Sequence, residues 1–233
     1  MRDMKTIGIM GGMGPMATVD LMKKIILATP ATTDQEHIPM LVDNAPQIPD
    51  RTKAILGQGE SPVAAMVKSA RRLEAGGADF IIIACNTAHY FLPEVAPQVK
   101  IPVLSIIETA ADSVLARGCK SVGLLATSGT IRTGLYQKAL SAKGITCIAP
   151  AADKQHLIDD LIYDGVKANN DAYDTSAVCQ LLQDMQHDGA EAFILGCTEV
   201  PVAVSMYNLQ GDFIDSTEEL AKAAVKYAKA DKD

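Results

Sequence analysis

Tryptophan is absent from this chain of 233 residues, and aromatic residues make up only 4% of it. There is no basic run: Lys and Arg number 21 against 28 Asp and Glu, a net charge of −7. An acidic chain without a basic cluster is a poor binder of nucleic acid or of an anionic membrane surface, so neither is expected as a partner. No apolar stretch reaches the roughly 18 residues that a spanning helix needs. The start, MRDMKTIGIMGG, passes into a glycine-rich loop after a very short apolar run and lacks the pattern of a secretory leader. Cysteines at CxxC spacing are missing too. The five present (Cys85, Cys119, Cys147, Cys179, Cys197) are an odd number, which argues against a disulfide framework and for a reducing cytoplasm. The histidines His37, His89, His156 and His187 are scattered and never at ligand spacing with a thiol pair, so no metal site is expected. With 48% hydrophobic and 21% charged residues, the chain falls outside the disordered and fibrous classes and can build a core in one large domain or two small ones.

Short β-branched runs alternate with longer amphipathic ones. Strands are predicted at 5–10, 38–42, 79–84, 102–104, 121–125, 146–148 and 192–195, several of them almost wholly apolar, as in a parallel sheet covered on both faces. Ser61 and Pro62 open a helix whose periodicity runs through Leu73 to a stop at Gly76-Gly77, and Ser216-Thr217-Glu218-Glu219 reads as a capping box for a last helix to about residue 230. The alternation defines an α/β fold. It is also duplicated. KTIGIM from Lys5 matches KSVGLL from Lys120, and GADFIIIACNT from Gly77 matches GAEAFILGCTE from Gly189, offsets of 115 and 112 residues. Two pseudo-symmetric lobes with mainly parallel sheets are expected, 1–113 plus 213–233 and 114–212, with a ligand held between them at the carboxyl ends of the strands.

Cys85 and Cys197 occupy equivalent places in the repeat, directly after an apolar strand and before small polar residues: Cys85-Asn86-Thr87 and Cys197-Thr198-Glu199. At a strand-to-helix turn, backbone N–H groups and the helix dipole favour an anion and are expected to lower a thiol's pKa from about 8.5 towards neutrality. Two such thiols on opposite faces of one carbon suit inversion of that carbon, in which a thiolate removes an α-proton while the opposed thiol delivers one to the other face. Cys119, Cys147 and Cys179 stand at no repeated strand end and read as packing groups.

These residues carry a resemblance. GIMGGMGPMAT near the start, NAPQIPDRT from Asn44, ACNTAH around Cys85 and LGCTEVP around Cys197 are similar to the aspartate/glutamate racemase family, and within it to the aspartate racemase branch. Glutamate racemases typically carry GCTH after the second cysteine and an Asp-Ser-Gly element near the N-terminus. This chain has Cys197-Thr198-Glu199 and Gly11-Gly12-Met13-Gly14 instead. The motifs and the repeat cover nearly the whole chain. The resemblance implies two Rossmann-like lobes, a homodimer, and cofactor-independent interconversion of L- and D-aspartate, or glutamate, by Cys85 and Cys197.

An amino-acid dicarboxylate presents two carboxylates and an ammonium. Asn86, Thr87 and Thr198 are placed to bind the α-carboxylate. Thr127, Ser128 and Thr130 follow the strand at 121–125 as the counterpart of the Gly12-Met13 loop, itself expected to bind substrate, and either bind an anion at a helix N-terminus or cap that helix. The resemblance assigns the side-chain carboxylate to Arg51, which can grip it in two places, with Lys167 as a second cation. Glu199 either receives the ammonium or caps the following helix. His89 either tunes the Cys85 thiol or packs. Gly12-Met13-Gly14-Pro15-Met16-Ala17 also fits the dinucleotide pattern G-x-G-x-x-A, but Pro15 fixes the loop where a pyrophosphate would approach and the repeat's second copy lacks the pattern. No lysine is placed with a phosphate cup for pyridoxal phosphate. The remaining alternatives are another cysteine-pair enzyme of the family, such as a dicarboxylate isomerase or a hydantoin-type racemase, and a non-catalytic dicarboxylate-binding protein.

Overall fold

The computed structural model describes residues 4–230. In chain order the elements are β1 (Ile7–Gly11), α1 (Pro15–Ala28), β2 (Met40–Asn44), α2 (Arg51–Ile55), α3 (Val63–Ala75), β3 (Phe80–Ile83), α4 (Leu92–Val95), β4 (Val103–Leu104), α5 (Ile106–Arg117), β5 (Ser121–Leu125), α6 (Ser128–Thr133), α7 (Leu135–Ser141), β6 (Thr146–Ile148), α8 (His156–Asp160), α9 (Ser176–His187), β7 (Ala192–Leu195), α10 (Val200–Met206), β8 (Phe213–Asp215) and α11 (Ser216–Lys229). The strands form two four-stranded parallel sheets, ordered β2-β1-β3-β4 and β6-β5-β7-β8. Each is flanked by helices, so the fold is α/β, and the second order is the first with every index raised by four.

The chain divides into two compact units, 1–106 with 217–233, and 107–216. The sequence pattern assigns 107–113 and 213–216 to the first lobe, whereas the structure puts both in the second unit. The reason at the later junction is backbone pairing: β8, which is not among the predicted strands, pairs with β7 from Phe193↔Phe213 to Leu195↔Asp215. The final helix lies in the first unit, where Lys5 N–H donates to the Ala228 carbonyl at 3.0 Å and Tyr227 meets Phe80 edge to face.

In each unit the same sequence device builds the core. All four residues of β3 are fully buried, and β7 is equally enclosed. Continuous apolar strands of this kind need cover on both faces. Helix α3 buries Met66, Ser69, Ala70 and Leu73, and α9 buries Val178, Leu181, Leu182 and Met185, the same i, i+3, i+4, i+7 stripe in both copies. Each fully buried Leu or Met contributes about 1.5–3 kcal/mol. Each helix then stops and reverses through a glycine with positive φ, Gly77 at +95° and Gly189 at +102°, a conformation that costs any L side chain. Those are the glycines the repeat aligns, eight residues ahead of each cysteine.

Strands 121–125, 146–148 and 192–195 form as expected, whereas β2 runs two residues later than 38–42. Pro39 has no N–H to give the ladder; its carbonyl instead accepts from Ile7 at 2.9 Å, and pairing begins at Met40. Helix α3 starts one residue past the expected point, with Pro62 as its N-cap and Ser61 Oγ accepting from Val63 N–H at 3.3 Å. Among the described residues, no helix is long and apolar enough to cross a membrane.

Candidate active site

In the first unit, β1 and β3 are adjacent and parallel, so their carboxyl ends share an edge. Ala84 N–H donates to the Met10 carbonyl at 3.1 Å, and past that bond lie the Gly11–Gly14 loop on one side and Cys85 on the other. Cys85 is buried, 6% exposed, and packs with Met10, Met13 and Phe91 in the unit's core. Asn86 and Thr87 follow, also buried, and open a 3-10 turn (Thr87–Phe91) rather than an α-helix.

His89 lies in that turn and does not reach the thiol. Its Nε2 receives the Ile106 N–H at 3.1 Å. A backbone N–H can only donate, so Nε2 is the acceptor nitrogen and the proton sits on Nδ1, which donates to the Cys85 carbonyl at 2.9 Å. The ring therefore braces the backbone of Cys85 and satisfies a donor at the start of α5. Burial lowers its pKa to about 4, which keeps it neutral.

The Gly12–Met13 loop is held by its own chain. Gly12 has φ +89°, and a Cβ there would lie 2.4 Å from the Ala45 backbone. Its N–H donates to Thr18 Oγ1 at 2.9 Å, and that hydroxyl donates to the Gly14 carbonyl. The first glycine of the dinucleotide-like pattern thus serves close contact with the neighbouring 45–46 loop. Met13 is buried in the core, while its carbonyl accepts from Arg51 Nη2 at 3.3 Å. Arg51 Nη1 also donates to the carbonyls of Ile48 (3.1 Å) and Pro49 (3.0 Å). Arg51 is therefore half-buried and pinned between the two loops.

The second unit repeats the edge. Gly196 N–H donates to the Leu125 carbonyl at 2.8 Å, which sets Cys197 beside the Thr127–Thr130 segment. Thr127 caps α6, its Oγ1 accepting from Thr130 N–H at 3.3 Å. Ser128 N–H donates to Asp159 Oδ1 at 2.9 Å, so this N–H of the first turn is taken by one of the protein's own carboxylates. Gln155 Nε2 closes the same corner on the Ala126 carbonyl.

Cys197 is 7% exposed. Its thiol donates to Glu199 Oε2 at 3.0 Å, and Thr198 Oγ1 donates to the same oxygen at 3.2 Å. Glu199 is itself buried and stands at the N-cap position of α10, yet its side chain makes no capping bond, which removes that reading. Lys167 approaches its Oε1 at 3.9 Å and lies over the Tyr163 ring at 4.7 Å. A π-helical turn, Leu161–Val166, delivers the lysine: Lys167 N–H donates five residues back, to the Ile162 carbonyl at 2.9 Å. Such turns frequently mark functional sites.

This environment overturns the expected depression of the Cys197 thiol. Burial, and then the Glu199 carboxylate, push it well above the ordinary thiol range, with Lys167 pulling weakly the other way. Position after a strand promises a helix dipole; burial and the carboxylate two residues on outweigh it. Cys147 is pushed up to about 11 by burial, consistent with a packing thiol. Sequence reasoning misses Asp159 and the Tyr163 platform, for which the sequence carries no local signal. It names Glu199 without its partner, though a carboxylate two residues after a thiol is visible in the sequence.

Residues 10–224 match the Asp/Glu/Hydantoin racemase family, and the chain belongs to that family. It is 30% identical to the broad specificity amino-acid racemase RacX of Bacillus subtilis over 223 residues, 94% of this chain and 96% of that protein. Among solved structures it is similar to the aspartate racemase of Picrophilus torridus, with 35% identity, a TM-score of 0.82, and coverage of 96% of this chain and 94% of that one. An aspartate racemase homologue from Pyrococcus horikoshii is similar too, with 27% identity, a TM-score of 0.76, and coverage of 97% and 99%. Racemase activity is thereby supported.

Proposed function

We propose that the protein interconverts L- and D-aspartate without a cofactor, using Cys85 and Cys197 as the two acid/base groups. The observation that carries this reading is equivalence. Each thiol stands two residues past the last residue of a buried central strand, β3 or β7, in sheets of identical strand order. A binding protein or a packing role gives no reason for a thiol at both equivalent positions.

In the reaction one thiolate takes the α-proton: the C–H bond breaks, an S–H bond forms, and the electron pair stays on Cα, delocalised into the α-carboxylate. The other thiol then gives its proton to the opposite face of Cα and becomes the thiolate. Asn86, Thr87 and Thr198, beside the thiols, bind the α-carboxylate. Lys167 and Arg51 are the cations for the side-chain carboxylate, in the way the aspartate racemase resemblance implies. The similarity to a broad specificity racemase favours a second reading, in which other amino acids share the site. The family resemblance also implies a homodimer, for which the exposed Met16, Val19, Ile26 and Leu27 of α1 offer an apolar face. Five free cysteines suit a reducing cytoplasm.

Cys85→Ser and Cys197→Ser, assayed by chiral chromatography on aspartate, glutamate and neutral amino acids, test the assignment. Each variant is expected to keep its circular dichroism spectrum and lose about 10²–10⁴-fold in racemisation. A serine variant that racemises as fast as the wild type would remove that cysteine from the mechanism.

A further inference from the structure

Glu199 is a carboxylate in a place where carboxylates are costly. Its side chain is 8% exposed, and it caps nothing in α10. Two donors, the Cys197 thiol and Thr198 Oγ1, converge on one oxygen, and the Lys167 ammonium stands by the other. Within the unit, the charged and titratable groups facing Cys197 are Glu199 ahead of α10, Lys167 from the π-helical turn, and Tyr136 from α7. Tyr136 is fully buried, which holds its hydroxyl in the neutral form. A neutral amide at 199 would fill the same volume and accept from Thr198 equally well. What the carboxylate adds is a negative charge facing Lys167 and a place for a proton.

We propose that Glu199 is the proton partner of Cys197: Oε2 takes the thiol proton when Cys197 acts as base and returns it when Cys197 has acted as acid, while Lys167 balances the single negative charge of the pair. This rests on Cys197 being one of the two acid/base groups. The steps balance. From Cys197–SH and Glu199–COO⁻, the S–H bond breaks and O–H forms, giving thiolate and carboxylic acid with the charge unchanged. The thiolate then takes the α-proton of the substrate, and the carbanion takes a proton from the other cysteine's thiol. In the opposite direction Cys197–SH protonates the carbanion, and the resulting thiolate recovers a proton from Glu199–COOH, so a thiolate and a carboxylate never face each other at 3.0 Å. Glu199 is thus a positioning residue that acts through Cys197.

The test reads the thiol itself. Iodoacetamide alkylation of Cys197 is followed by peptide mass spectrometry at about pH 8 in the full-length wild type, in Glu199→Gln and in Lys167→Gln. Removing the carboxylate should speed alkylation about tenfold or more, since each tenfold gain in thiolate corresponds to one pH unit. Removing the lysine should slow it. Racemisation by Glu199→Gln should reach its maximum at lower pH than in the wild type and fall on the alkaline side, where Cys197 no longer holds a proton to deliver, a profile that a purely structural role would not produce. Unchanged or slower alkylation in Glu199→Gln overturns the proposal, as does faster alkylation in Lys167→Gln. If Glu199→Gln does not fold, Lys167→Gln decides alone: slower alkylation supports the pairing, and an unchanged or faster rate overturns it. Failure of the racemase reading shows separately, as wild-type protein that racemises no amino acid while the alkylation rates still move as stated.

Discussion

Replacing His89 by glutamine should cost stability at neutral pH and nearly none at pH 4. His89 donates to the Cys85 carbonyl and accepts from Ile106 N–H, both buried. Losing those bonds, with the Ile106 donor left to find water, removes about 2–4 kcal/mol. The advantage depends on the ring staying neutral. Its pKa falls from 6.5 to about 4 on folding because burial disfavours the charged form. The unfolded chain therefore binds the proton first. The stability is fully present above about pH 6.5 and is lost progressively as pH falls towards 4, by about 3 kcal/mol in all. Urea denaturation of wild type and His89→Gln across this range isolates the effect, because every other titrating group is common to both and cancels in the difference. The difference should shrink by about 3 kcal/mol between pH 7 and pH 4. A difference that stays constant with pH would refute the neutral, doubly bonded imidazole.

Gly12→Ala should destabilise the first unit by about 3 kcal/mol or more, because the new Cβ meets the Ala45 backbone at 2.4 Å and φ is +89°; urea denaturation checks it. Gly77→Ala, with φ +95° but open space around the Cβ, should cost only about 1–2 kcal/mol in the same assay. Gly123→Ala on β5 would set a methyl 2.4 Å from Phe193 Cδ1 and should lower stability by about 1–3 kcal/mol, read as a drop in thermal midpoint. Arg51→Lys should raise the KM for aspartate more than it lowers kcat, since a point charge cannot hold three carbonyls at once and still meet a carboxylate in two places.

The architecture is legible in the sequence because a parallel sheet under helices writes itself as uninterrupted apolar runs, and Phe80–Ile83 and Ala192–Leu195 are such runs. The duplication is legible because each copy needs a positive-φ glycine at the same distance from its cysteine. β8 escapes notice because Phe213–Asp215 is three residues long, too short for any period, and acquires its strand geometry only by pairing with β7. At the site, residue identity is readable and electrostatics is not. A cysteine after a strand looks the same in sequence whether a helix dipole or a carboxylate faces its thiol, and at Cys197 it is the carboxylate of Glu199. Arg51 reads as an open ligand for a carboxylate because its carbonyl partners at Met13, Ile48 and Pro49 come from loops whose approach depends on Gly12.

The most direct test of the cysteine-pair reaction is proton NMR of the cofactor-free protein with L-aspartate in D2O, followed by chiral chromatography and mass measurement of the product. The account predicts that the α-proton signal disappears as D-aspartate accumulates carrying deuterium at Cα, and that alkylating both cysteines stops both changes. Racemisation that continues after complete alkylation of Cys85 and Cys197, or D-aspartate that retains the original proton, would contradict it.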